Sequence, residues 1–184
     1  MTTSASSASS ASYDRSSATR FPTAVDTALR TAGWEPGRWD IKQAEFWADA
    51  LRDHTTPAGH RHTVFPAAVE AWAEFGGLTI TAPGPGRQIA PAPVHLDPLT
   101  GLHLARTFAD LGRALSTELC PLGIEADRGH LPAAAAGGAH LAIDREGRVY
   151  GIDHTGDWYL GAGVDEALTL LLTGLQPTRL TTAP

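Results

Sequence analysis

The sequence predicts an α+β fold, in which helices come first and antiparallel strands follow with further helices between them. Between residues 21 and 75, apolar side chains recur at helical spacing. Alternating segments and a tight hairpin appear only after residue 77, and the chain does not alternate regularly between strand and helix. A chain of 184 residues supports one domain of this class.

The two ends of the chain are predicted to lie outside that domain. Residues 1–20 are almost all Ser, Ala and Thr, and they carry too little apolar surface to offset the entropy of ordering. They also lack the apolar stretch of a secretory signal. We expect a disordered tail at 1–20, one domain at 21–177 and a C-terminal tail at 178–184. A chain that begins at Phe21 is expected to keep its melting temperature and its partner binding.

The first half of the chain is predicted to form three helices. They are Thr23–Ala32, a helix that begins after Asp40 and fades near His54, and Pro66–Phe75. Asp40 is a good N-cap, and Gln43 at the third helical position would complete a capping box. Gly33 would end the first helix, and the pair Gly76 and Gly77 would end the third. At least one glycine of that pair is expected to have a positive φ.

The second half is predicted to hold the strands and two more helices. These elements are a strand at Leu78–Thr81, a helix marked by Leu104, Phe108, Leu111 and Leu115, strands at Leu122–Ala126 and Asp157–Leu160, and a closing helix at Val164–Thr173. The clearest hairpin joins Leu141–Asp144 to Arg148–Ile152 through a turn that ends at Gly147. Any strand in the proline-rich segment Ala82–Asp97 should be short and lie at a sheet edge. Ala133–Gly138 is expected to be a loop tip.

Charge and cysteine content restrict the class of partner. Asp and Glu number 20 against 14 Lys and Arg, which gives a net charge of −6; the tail carries +1, so the rest carries −7. An acidic domain repels phosphate backbones, so direct nucleic-acid binding is not expected, whereas a basic protein would suit it. The alternative is that the acidity serves solubility alone.

The single Cys120 excludes an intramolecular disulfide and favours a cytoplasmic protein, and no apolar run is long enough to span a membrane.

Residue types that carry metal or nucleophilic chemistry are present without supporting motifs. His54, His60 and His62 are the closest histidines, but no Cys pair or HExxH accompanies them, so we expect polar loop histidines and neither metal nor cofactor. Ser116 is the only serine beyond the tail, and it lacks a GxSxG context. Cys120 is expected to be a small buried side chain and not a reactive thiol.

A possible acid–base group lies where the predicted hairpin ends. His154 with Asp153 or Asp157 could act in a small hydrolase. The alternative, a hydrogen-bonded turn, is the favoured interpretation of this Gly-containing segment. The sequence therefore predicts no catalytic residues.

Six short motifs, in order, resemble one known family. They are Ala32-Gly33-Trp34 followed by Pro36-Gly37-Arg38, then Phe75-Gly76-Gly77-Leu78, Asp97-Pro98, Pro121-Leu122-Gly123, Ile143-Asp144 with Gly147 and Val149-Tyr150, and Asp165-Glu166-Ala167-Leu168 with Gly174 and Pro177. Together they resemble the third SUKH subfamily of bacterial immunity proteins. The resemblance covers about residues 21–177. Within it, seven residues are expected to have a structural role: Gly33, Pro36, Gly37, Arg38, Gly76, Gly77 and Gly147.

The resemblance implies both a fold and a function. The fold would be a curved, mainly antiparallel sheet packed by helices. The function would be non-enzymatic: binding and neutralising a cognate polymorphic toxin, often a nuclease or a deaminase. Two alternatives stay open, namely a regulatory or scaffolding module of the same fold and the small hydrolase.

A partner surface is predicted from loop carboxylates and loop tryptophans. Exposed carboxylates would steer a basic toxin, and tryptophans beside them would anchor it. The candidates are Glu35, Asp97, Glu125, Asp127, Asp153 and Asp157, with Trp34 and Trp158. Trp34 and Trp39 bracket a turn, and the alternative is that such tryptophans cover the rim of the core. Trp47 and Trp72 lie on helical stripes and are expected in the core.

Overall fold

The computed structural model describes residues 19–126 and 138–181. These residues fold into helices and one sheet, joined by loops. The α-helices are α1 (Thr23–Thr31), α2 (Ile41–Asp53), α3 (Pro66–Phe75), α4 (Ala105–Leu115) and α5 (Val164–Thr173). The strands are β1 (Thr79–Ile80), β2 (Val94–His95), β3 (Leu119–Glu125), β4 (Ala139–Asp144), β5 (Val149–Asp153), β6 (Gly156–Gly161) and β7 (Thr178–Arg179). A 3₁₀ helix, Pro98–Leu104, leads into α4.

The sheet is a single antiparallel meander. Its strands lie in the order of the chain, from β1 to β7, and every neighbouring pair is antiparallel. The sheet is curved and does not close, and its two edge strands, β1 and β7, are only two residues long. Short edges limit pairing with other chains. The predicted α+β fold is confirmed.

Both faces of the sheet are covered by helices. Leu141 and Ile143 of β4 point into a large core with α1, α2, α3 and α5. Ala142, between them, points to the opposite face, where α4 packs against Leu119 and Tyr150. Because successive side chains of a strand alternate between faces, β4 is apolar on both sides over these residues. Cys120 is fully buried in the larger core, as expected, and burial raises the pKa of its thiol.

The capping of α2 differs in part from the sequence prediction. Asp40 does cap the helix, since its Oδ1 accepts a hydrogen bond of 3.1 Å from the backbone nitrogen of Gln43. The reciprocal half of the capping box does not form, because the Asp40 nitrogen donates to the carbonyl of Ala73, at 2.7 Å. This bond instead ties the start of α2 to the end of α3.

Three predictions about the sheet and its connections need correction, and one element was missed. β2 is short, but it pairs with both β1 and β3 and is not an edge strand; Pro91 and Pro93 precede it and need no ladder bond. β3 begins at Leu119, before the predicted strand, because Pro121 lies at an irregularity in the pairing. The 3₁₀ helix was not predicted. Thr178 and Arg179, expected in a C-terminal tail, pair with β6.

Other sequence predictions fall on residues that the structure does not describe. Residues 1–18, most of the predicted tail, lie outside the described ranges. So does Asp127, one of the candidate contact residues, together with most of the predicted loop tip at Ala133–Gly138. These predictions stay untested.

The two glycines after α3 are expected to resist substitution for different reasons. Gly77 has φ of +78°, so alanine there should cost about 1 kcal/mol in backbone strain. Gly76 has an ordinary φ of −60°, but an added Cβ would overlap the carbonyl oxygen of Trp72 and the ring of Trp47. Gly76→Ala should therefore cost about 1–3 kcal/mol.

Denaturant unfolding of both variants measures these costs. Gly84→Ala is the matched control, because a Cβ at Gly84 meets nothing within 4 Å. Equal stability of all three variants and the parent would show that neither the backbone nor the packing at the end of α3 requires glycine.

Candidate partner-binding site

A cleft of about 560 Å³ opens on the surface of the described residues. One wall is α3, the second is the turn between β4 and β5, and the third is the segment that enters α5. Arg20 and Trp39 complete the rim. We call this depression the acidic cleft; its charged residues are Arg20, Glu70, Glu74, Arg145, Glu146, Asp165 and Glu166.

The spacing of residues in α3 explains why the cleft is open and acidic. Ala67, Glu70, Ala71 and Glu74 follow one another at i, i+3, i+4 and i+7, which places them on one face of the helix. The alanines have side chains too short to fill the space, and the glutamates supply negative charge. With five carboxylates against two guanidinium groups, the lining carries a net charge of −3 at neutral pH.

Most of the cleft carboxylates are engaged within the chain. Glu146 accepts a hydrogen bond of 3.0 Å from Arg148, and Glu166 accepts one of 2.9 Å from the backbone of Ala162. Glu74 and Asp165 both bind Arg20. Glu70 is exposed, and it forms no hydrogen bond or ion pair with the residues that the structure describes. Its charge is therefore not neutralised by any described residue.

Arg20 joins two walls of the cleft, although the sequence analysis placed it in the tail. Its Nε and Nη2 donate to Asp165 at 2.5 and 2.6 Å, and its Nη1 and Nη2 donate to Glu74. These hydrogen bonds raise the pKa of the guanidinium above its usual value. The same group lies 5.2–5.8 Å from the ring centres of Phe21, Trp34 and Phe75.

Removing Arg20 should destabilise the domain, in contrast to removing the residues before it. A chain that begins at Thr19 should keep the stability of the full chain. One that begins at Phe21 should lose about 1 kcal/mol, which revises the expectation from the sequence, because it lacks the Arg20 contacts. The loss is modest because the Arg20 side chain is 44% exposed and water screens its ion pairs. Chemical denaturation of both chains and of Arg20→Ala measures the difference, with Arg61→Ala as the surface control. Equal stability of the two shortened chains would contradict a structural role for Arg20.

Trp39 is held at the edge of the cleft by its two neighbours. Arg38 donates to the carbonyls of Glu74 and Gly76, at 2.5 and 2.8 Å, and so satisfies the end of α3. Asp40 is fixed by its bond to Ala73 and by its role as N-cap. Between these anchors, Trp39 remains 55% exposed. An aromatic side chain that is oriented by its backbone yet left in water is typical of a protein-binding surface.

The two tryptophans predicted as anchors lie in different environments. Trp34 is only 2% exposed, stacked on Phe75 at 6.2 Å and in edge contact with Phe21 at 5.3 Å. It is a core residue, so its prediction as an accessible anchor is wrong. Trp158 is half-buried on β6, packs against the larger core and lies under the guanidinium of Arg179 at 5.7 Å.

Two of the predicted contact carboxylates lie apart in loops. Glu35 is exposed in the turn between α1 and α2. Asp97 is half-buried and caps the 3₁₀ helix, since its Oδ1 accepts from the nitrogen of Leu99 at 2.8 Å. The neighbouring His95 imidazole lowers the pKa of Asp97, and the carboxylate in turn raises the pKa of His95.

The other described carboxylates lie together at one end of the sheet. Glu125 ends β3, and Asp153 and Asp157 flank the turn between β5 and β6. Burial opposes ionisation of Asp153, but hydrogen bonds from Thr155 and Gly156 outweigh it and lower the pKa. Burial, followed by the charge of Asp153, raises the pKa of Asp157. None of these three residues lines the acidic cleft.

The turn after β5 has the hydrogen bonding expected of a structural turn. Oδ1 of Asp153 accepts from the nitrogen and hydroxyl of Thr155, each at 2.6 Å, and from the nitrogen of Gly156 at 3.1 Å. His154 between them is exposed. Asp153, one of the two carboxylates that the hydrolase hypothesis names, is thus engaged by its own turn.

One of the three histidines predicted to be polar loop residues is buried instead. His62 is 7% exposed, with its Nε2 2.8 Å from the carbonyl oxygen of Leu102, and burial lowers its pKa. His54 instead contacts His103 edge to face, at 4.9 Å between ring centres. Across residues 19–126 and 138–181, no three His, Cys, Asp or Glu side chains are placed to hold a metal ion.

Sequence reasoning missed the residues that form the cleft. Glu70 is an ordinary polar position on α3, and Glu146 is a turn residue; only the fold places both in the lining of one cleft. For Trp39 a partial signal exists in the sequence, since this residue directly precedes the predicted N-cap Asp40, but the same turn also holds Trp34.

These features describe an α+β domain with a concave, acidic surface and an exposed aromatic rim, as suits a domain that binds another protein. The chain belongs to the SUKH-3 immunity protein family, whose model matches residues 21–174. The suspected resemblance is therefore confirmed over most of the chain, and membership supports a role in neutralising a toxin. No match to the chain was found among curated proteins or among solved structures. In the described part of the chain, every helix is too short or too polar to cross a membrane.

Proposed function

We propose that this protein binds a cognate bacterial toxin in the cytoplasm and blocks its catalytic domain, which is a nuclease or a deaminase. The observation that carries the proposal is the family match over residues 21–174. Immunity follows from binding alone, so the protein needs no catalytic group of its own.

Charge supports a basic toxin as the partner. The chain beyond residue 20 carries −7, and the acidic cleft concentrates part of that charge beside an exposed tryptophan. Enzymes that act on nucleic acid present basic surfaces to the phosphate backbone. An acidic protein is therefore attracted to the face that such a toxin uses for its substrate.

The first experiment pairs this protein with the toxin domain encoded next to its gene. Nuclease and deaminase activity are measured on single- and double-stranded nucleic acid, with and without an equimolar amount of this protein. We expect a stable complex and loss of toxin activity. Full toxin activity in the presence of excess protein would refute the proposal, and a complex that leaves the toxin active would favour the regulatory or scaffolding alternative.

The second experiment tests electrostatic steering of the association. The association rate should fall as ionic strength rises, because screening shortens the reach of the acidic field. Glu35, Glu125 and Asp157 lie outside the cleft, so their reversal to lysine should slow association and leave dissociation nearly unchanged. An association rate that does not depend on salt concentration would contradict electrostatic steering. It would not contradict the proposal that this protein binds the toxin.

A further inference from the structure

We propose that the acidic cleft binds an arginine side chain of the toxin, between the ring of Trp39 and the carboxylate of Glu70. This inference rests on the proposed function for the identity of the partner. It goes further in assigning the contact to one surface and to one kind of side chain.

The cleft already holds one guanidinium group of its own chain. Arg20 donates from three nitrogens to Glu74 and Asp165, and its planar group also lies over aromatic rings. These contacts occupy the side of the cleft where α3 faces the start of α5. The walls therefore have the geometry and the charge that a guanidinium needs.

Two further groups of the cleft lining, Glu70 and Trp39, are not engaged in this way. Glu70 forms no ion pair with any described residue, and Trp39 exposes 55% of its surface. Leaving a tryptophan in water forgoes the burial of a large apolar area. A cation over that ring, paired with the Glu70 carboxylate of the same cleft, would use both groups at once.

Arginine fits these two groups better than lysine. Its flat guanidinium can stack on an indole while its edge donates to a carboxylate, and it is less strongly hydrated than an ammonium group. The net charge of −3 in the lining also disfavours an acidic or phosphate-bearing ligand. The lining therefore favours a cationic side chain of a protein as its ligand.

Binding of the side chain alone can be measured without the toxin. The full chain, labelled with ¹⁵N, is titrated with N-acetyl-arginine amide while the indole N–H signal of Trp39 is followed. N-acetyl-citrulline amide, which has the same shape but no charge, is the control at matched ionic strength. We expect a saturable shift of the Trp39 signal with arginine only, abolished in Glu70→Gln. Equal shifts with both compounds, or none with either, would overturn the assignment.

Binding of the toxin domain tests the same surface in its proposed setting. Trp39→Ala and Glu70→Lys should each weaken the complex by at least about tenfold. The matched controls are Phe46→Ala, a side chain 61% exposed on α2, and Glu45→Lys on the same helix; both lie outside the cleft and should change the affinity by less than about threefold.

The outcomes separate this inference from the proposed function. If the parent binds the toxin and the cleft variants bind no worse than the controls, the cleft assignment is wrong while the immunity role stands. If the parent does not bind the toxin, the proposed function fails, and the titration with arginine amide still decides whether the cleft recognises a guanidinium group. Melting curves of the four variants should match the parent, since all four positions are exposed.

Discussion

Replacing Asp144 with alanine should lower the free energy of unfolding by about 3–4 kcal/mol. The Asp144 carboxylate is fully buried and accepts four hydrogen bonds. Its Oδ1 takes two from backbone nitrogens of the β4–β5 turn, and its Oδ2 takes one from Arg148 at 2.6 Å and one from Tyr150 at 3.0 Å. Alanine would leave the phenol, which is 4% exposed, and the turn nitrogens without their acceptor.

Two further variants separate the parts of this network. Tyr150→Phe removes one bond and should cost about 1 kcal/mol. Glu146→Ala, an exposed carboxylate in the same turn, should cost less than about 1 kcal/mol because its bonds are screened by water. Denaturant unfolding measures all three. If Asp144→Ala were no more costly than Glu146→Ala, the buried carboxylate would not be what holds the hairpin.

Replacing Trp34 with alanine should cost about 3–5 kcal/mol. The indole is 2% exposed, stacks on Phe75 with 7° between the ring planes, and meets Phe21 edge to face. Its removal would leave a cavity between the start of α1 and the end of α3 that the surrounding rings cannot fill. The Trp34 variant should still bind the toxin with nearly parental affinity under conditions where it is folded.

Trp39 should behave in the opposite way. Trp39→Ala should change stability by no more than about 0.5 kcal/mol, because the side chain is mostly in water, but it should weaken toxin binding. Thermal and chemical unfolding together with titration calorimetry test the pair of variants. A loss of affinity in folded Trp34→Ala equal to that in Trp39→Ala would restore Trp34 as a contact residue.

The family motif around Trp34 has a physical explanation in this fold. Gly33 and Gly37 both have positive φ, +96° and +85°, so the chain can turn tightly on either side of the buried tryptophan. Arg38 then caps the end of α3 through two carbonyls. The motif thus connects α1 to α3 and, as a consequence, sets the position of Trp39 at the cleft.

Elements with strong local signals were predictable from the sequence. α3 and α5 have the predicted limits, since Pro66 begins one helix and Gly174, with φ of +63°, ends the other. The β4–β5 hairpin also forms as predicted, with Gly147 at φ of +87°. In each case one or two residues define the backbone conformation without help from distant parts of the chain.

Elements that depend on distant partners were not predictable. β7 has two exposed residues and no pattern of its own, and it becomes a strand only because β6 offers it hydrogen bonds. The 3₁₀ helix depends on a cap from Asp97 and on packing against β3, where Gly101 is buried beside Pro121. Hydrogen bonds to neighbouring strands and packing against distant residues determine the conformation of such segments. Neither can be inferred from the residues that are adjacent in the sequence.

The sequence by itself determined the helices with clear caps, the hairpin, the α+β class and, through its motifs, the family. Only the tertiary structure decided which tryptophan is core and which is surface, because Trp34 and Trp39 flank one turn and only Trp34 packs between Phe21 and Phe75. It also decided the site. Glu70 and Glu146 are 76 residues apart in sequence, and folding brings them, with Trp39, to the lining of one cleft. Burial and charge density depend on neighbours in space, which the order of residues along the chain does not specify.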